Sequence, residues 1–156
     1  MNESGEKIPK PLDATFELAK KFDSLDKSGI ANSTVTSELF KSGKEGEEKV
    51  IKKIGEIKET VFKDTALFRI SKLYYEQKKD IQTALQKANE IQDQNEKARC
   101  LVHLANVVIT SEGNLELADE IIGKITEDKE EYAKHYEKVR KEYIENKEKS
   151  KEEIGK

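Results

Sequence analysis

The chain has 156 residues, 39% of them charged and 35% hydrophobic, with 29 basic against 32 acidic residues. Leu, Ile, Val and Phe make up about 24% of it, enough to fold, yet its apolar content lies below the globular norm, so one thin, surface-rich domain is expected. A net charge of −3 with both signs interspersed excludes a generic nucleic-acid or membrane binder, no apolar run approaches the roughly 18 residues of a membrane span, and the single Cys100 excludes an internal disulfide.

In chain order, residues 1–11 read as a polar, disordered arm that holds both prolines, Pro9 and Pro11. The start, MNESGEKIPKP, is not a signal peptide, which makes a cytoplasmic location the expectation. Residues 12–45 read as a degenerate helical pair or cap, with helices at Ala14–Phe22 and about Thr36–Phe40. Between them the Ser-, Thr-, Asn- and Gly-rich segment from Ser24 to Thr36 is a loop, and Ser42 to Gly46 is a second break. From residue 12 on there is no proline, and Lys, Glu, Ala, Leu and Gln dominate, so the body is predicted to be helical throughout.

Residues 46–149 carry an internal repeat. A shift of 34 positions aligns Val50, Ala84 and Ala118, then Ile54, Ala88 and Ile122, then Ile57, Ile91 and Ile125, with Gly55, Asn89 and Gly123 between. Leu67 aligns with Leu101, Ile70 with Leu104, and Ser71 with Ala105. After Ile125 one residue is inserted, and Asp93 then matches Asp128. Each unit reads as two helices. In the clearest copy a short helix, Ile81 to Ile91, presents Ala84, Ala88 and Ile91 on one face. A capping box of Asp93 and Glu96 opens a longer helix, about Asn95 to Ser111, which Gly113 closes. Asp128 and Glu131 repeat the box. The helix Asn95–Ser111 is apolar nearly all round and should be the most enclosed. The last helix, about Lys129 to Lys149, carries a single stripe of Tyr132, Tyr136, Val139 and Tyr143 on a charged background, which suits an end cap or, less readily, a ligand dock. Residues 150–156 read as a flexible tail.

The period, the small residues Ala84, Ala105 and Ala118, and the run Gly113-Asn114-Leu115-Glu116-Leu117-Ala118 resemble tetratricopeptide-type helical hairpin repeats over about Gly46 to Ile144. The tryptophan, the Leu-Gly pair and the closing proline of that family are absent. The expected fold class is thus all-α, a short α-solenoid of stacked antiparallel hairpins with a polar C-terminal capping helix. What the resemblance implies is binding of a protein or peptide, in the groove lined by the first helix of each hairpin, by an adaptor or scaffold. The alternative is a small chaperone for a secreted substrate.

Catalytic and metal chemistry find little material. Cys100 and His103 stand at i, i+3 on an apolar helix, a position where cysteine ordinarily packs a core. Cys100, His103 and His135 are too few for zinc, and Gly43-Lys44-Glu45-Gly46 lacks the spacing of a phosphate loop. A non-enzyme without cofactor or metal is therefore expected. One pattern stands out. Polar residues recur at i, i+4, i+7 and i+11 on the first helix of each hairpin: Thr65, Arg69, Lys72 and Glu76; Arg99, His103, Asn106 and Thr110; Lys134, Lys138, Lys141 and Glu145. Stacking would gather Arg69, Lys72, Arg99, His103, Asn106, Lys134, Lys138 and Lys141 into a largely basic band. Such a band is either solvated surface or a groove for an acidic protein segment, since guanidinium groups suit bidentate capture of carboxylates.

Overall fold

The computed structural model describes the backbone of residues 10–154 and the side chains of residues 16–152. These residues form eight α-helices and no strand: α1 (Lys10–Asp23), α2 (Thr34–Lys41), α3 (Lys44–Gly55), α4 (Thr60–Lys78), α5 (Ile81–Glu90), α6 (Gln94–Glu112), α7 (Leu115–Ile122) and α8 (Lys129–Ile154). The chain is therefore all-α. Of the anticipated N-terminal arm, residues 1–9 lie outside the described residues, while Lys10 and Pro11 already belong to α1. At the other end α8 continues through Ser150 to Ile154, past the expected start of a tail.

Local chemistry sets the helix ends. Ser33, Asp80, Asp93 and Asn114 each accept a backbone N–H of the turn that follows, satisfying donors that a helix start otherwise leaves free. Gly113 ends α6 in the left-handed region at φ 67°, where glycine carries no steric penalty. Of the two expected capping boxes, the first is only half formed. The Asp93 side chain accepts from Asn95 and Glu96, but the Glu96 carboxylate pairs with Arg99 instead of reaching back. The Asp93 N–H goes to the Asp64 carboxylate, 2.9 Å away. Asp128 sits at φ 52°, and Glu131 pairs with Lys134, so the second box does not form.

Each long helix lies against the short helix that follows it, α4 on α5 and α6 on α7, and against the next long helix, α4 on α6 and α6 on α8. α6 meets α4, α5, α7 and α8, but α4 is enclosed to the same degree, meeting α2, α3, α5 and α6, so the expected single most enclosed helix does not stand out. Val50, Ala84, Ala118, Ile54, Ala88, Ile57, Ile91 and Ile125 are all buried. The alanines let backbones approach closely enough for the Ser71 hydroxyl to donate to the Ala84 carbonyl at 2.7 Å. At the N-terminal end the break expected from Ser42 to Gly46 shrinks to Ser42 and Gly43. Gly46 is instead a buried residue of α3, where a Cβ would run into the Leu39 carbonyl oxygen of α2. The α8 stripe is half-buried to buried along its length. Tyr136 donates to Asp119, which Arg140 also grips through Nε and Nη2 at 3.0 Å each, fastening α8 to α7.

Candidate docking groove

Three long helices side by side leave a groove of about 480 Å³ where α4, α6 and α8 meet. Phe68 of α4, Val102 of α6 and Tyr132 of α8 give it apolar walls, with His103 and Asn106 between them and Arg99, Glu131 and His135 at its edges. The Phe68 and His103 rings lie 6.1 Å apart at a tilt. Asn106 Nδ2 donates to His135 Nδ1 at 3.2 Å, and Tyr132 donates to Asn95 Oδ1 at 2.6 Å. Two buried polar atoms of the groove residues, His103 Nε2 and Asn106 Oδ1, have no hydrogen-bond partner, and an unmade buried bond of this kind costs about 1–3 kcal/mol. Burial, followed by the nearby Lys72 ammonium, holds the His103 imidazole below its ordinary pKa.

The anticipated band is gathered only in part. His103 and Asn106 lie in the groove and Arg99 on its edge, where it pairs with Glu96 at 2.7 Å. Lys72 stands with its Nζ 5.9 Å from the Phe68 ring centroid. Arg69 leaves the band, because its Nη1 donates to the Ala31 carbonyl at 2.7 Å and ties α4 to the loop before α2. Lys134 is exposed and paired with Glu131 at 3.2 Å, and Lys138, also exposed, lies one turn beyond His135 on the same side of α8. Lys141 borders a different cavity, beside Asp119, Tyr136 and Arg140.

The reason is the crossing of α8 over α6. Between α4 and α6 the offset of paired residues stays near one repeat, 35 for Phe68 with His103 and 36 for Tyr75 with Ser111. Between α6 and α8 it falls from 37 at Asn95–Tyr132 to 29 at Asn106–His135. His135 therefore occupies the place that a constant offset assigns to Lys141. Phe68, Val102 and His135 were missed as groove residues. Phe68 and Val102 stand 34 apart, so the repeat itself carried the signal for that pair.

Cys100 turns away from this chemistry. It is fully buried, and burial pushes its thiol up to about 11, so it stays protonated at neutral pH. Among the described residues no three His, Cys, Asp or Glu side chains converge as metal ligands, and no helix is long and apolar enough to cross a membrane. No protein-family model matches the chain, and no curated protein or solved structure matches it either.

Proposed function

We propose that the chain is a non-catalytic protein-interaction module, a tetratricopeptide-like α-solenoid whose groove between α4, α6 and α8 receives a segment of another protein. The carrying observation is the composition of that groove: apolar walls at Phe68, Val102 and Tyr132 over the unpartnered atoms of His103 and Asn106. An open groove with apolar walls and a polar rim can seat an apolar anchor of a partner, and a few such anchors supply most of the affinity in protein interfaces. Lys72 and Lys138 form no ion pair among the described residues, so acidic residues flanking the anchor would complete the fit. The 34-residue spacing of buried residues and the pairing of each long helix with the next short one support the hairpin reading.

A chaperone holding an unfolded substrate needs broad exposed apolar surface. Among the described residues the large hydrophobics left exposed are Phe16 and Val61, on different helices, so the adaptor reading is preferred. The test is titration of a captured partner segment at two salt concentrations. Lys72→Glu with Lys138→Glu should slow association and flatten the salt dependence, because exposed charges are screened over about 8 Å at physiological ionic strength. Lys41→Glu with Lys52→Glu, on α2 and α3, should bind as wild type. Equal loss in both double variants would defeat the proposal.

A further inference from the structure

On the opposite side of α6, away from the groove, lies a second pocket of about 380 Å³. One wall is the face of α5 that carries Gln82, Gln86 and Asn89 at i, i+4 and i+7; the other carries Gln94 and Lys97 of α6. Leu85 and Leu101 supply its apolar contacts, and Lys124 and Thr126, from the connection between α7 and α8, close it.

We propose that this pocket binds an anionic group, the phosphate or carboxylate of a small organic molecule. No carboxylate lines it, although 32 of the 156 residues are acidic. Lys97 is half-buried, and neither it nor Lys124 forms an ion pair among the described residues. Four carboxamides and a hydroxyl stand around the two ammonium groups, and the side-chain hydrogen bond they make among the described residues is one of 3.4 Å, from Gln94 to the Gln92 carbonyl. Their donors are otherwise open to a ligand.

The residue choice sharpens the point. Thirty-four positions beyond Gln82 and Gln86 stand Glu116 and Glu120, while thirty-four before them stand Glu48 and Lys52. Relative to Glu116 and Glu120, the α5 face beside Lys97 and Lys124 keeps the side-chain shape and hydrogen-bonding capacity and removes the negative charge. A glutamate there would pair with the lysines and repel an anion; glutamine leaves the charge to the ligand. The volume suits a small molecule.

The experiment is an NMR titration of the intact protein with inorganic phosphate and, separately, succinate, each to about 20 mM, a range that detects millimolar affinity. Saturable shifts are expected in the side-chain amides of Gln82, Gln86, Asn89 and Gln94, and the tighter probe identifies the phosphate or the carboxylate class. Gln86→Glu, and separately Lys97→Glu with Lys124→Glu, should weaken binding at least tenfold. Gln86→Glu keeps the fold, as Glu120 occupies the corresponding exposed place on α7. Shifts that never saturate, that spread equally over the lysine-rich surface, or that survive Gln86→Glu would overturn the proposal.

Discussion

Replacing Ala84 with leucine should destabilise the protein by about 2–4 kcal/mol. Ala84 is fully buried on α5, at a crossing so close that the Ser71 hydroxyl of α4 bonds to its carbonyl at 2.7 Å. Three added carbons have no free volume to enter. Overpacking of this kind costs about 1–3 kcal/mol, and forcing α4 and α5 apart also breaks the Ser71 bond, worth about 1 kcal/mol. With a urea dependence of about 2 kcal/mol/M, the denaturation midpoint should fall by about 1–2 M, followed by helical circular dichroism. Lys147→Ala, on the exposed side of α8, should stay within about 0.5 kcal/mol of wild type. A midpoint for Ala84→Leu indistinguishable from wild type would mean that α4 and α5 do not meet through their small residues.

Other expected outcomes follow from single contacts. Asp64→Ala strips the acceptor from the Gln92 and Asp93 backbone N–H groups, at 3.0 and 2.9 Å, and should cost about 2–4 kcal/mol in the same melt, with amide exchange fastest at the α5–α6 turn. Gly113→Ala places a Cβ against the Tyr143 hydroxyl at φ 67° and should lower stability by at least about 1 kcal/mol, a loss that Tyr143→Ala in the same chain partly restores. His103, held neutral chiefly by burial, has a folded pKa below its ordinary 6.5. The unfolded chain thus takes up its proton first as pH falls, and stability should decline below about pH 6.5 in wild type but less in His103→Gln, measured by urea melts between pH 7.5 and 5.

What the sequence disclosed followed from local pattern. The long helices, the buried alanine faces, the Gly113 cap and the tyrosine face of α8 are written in 3.6-residue periodicity and in turn chemistry. The groove was half legible for the same reason: His103 and Asn106 sit on a helix face that spacing defines. The other half depends on how helices cross. Asp64 has no counterpart in the local pattern, yet it is buried where a turn 28 residues later needs an acceptor. Arg69 looked like binding surface, yet it reaches a carbonyl 38 residues earlier. Gly46 looked like a loop breaker, yet it is the point where α2 and α3 touch. The slant of α8 over α6, which exchanges Lys141 for His135, is a property of helix crossing that no period reports.

The most direct measurement places a photo-crosslinking residue at Val102 in the groove or at Lys52 on α3, and irradiates each protein in extract of its source cell. The account predicts that Val102 captures one protein through a segment bearing an apolar side chain flanked by Asp or Glu, that Lys72→Glu with Lys138→Glu suppresses that capture, and that Lys52 does not capture it. Crosslinks of equal yield from Lys52, or capture at Val102 that the charge reversals leave untouched, would contradict it.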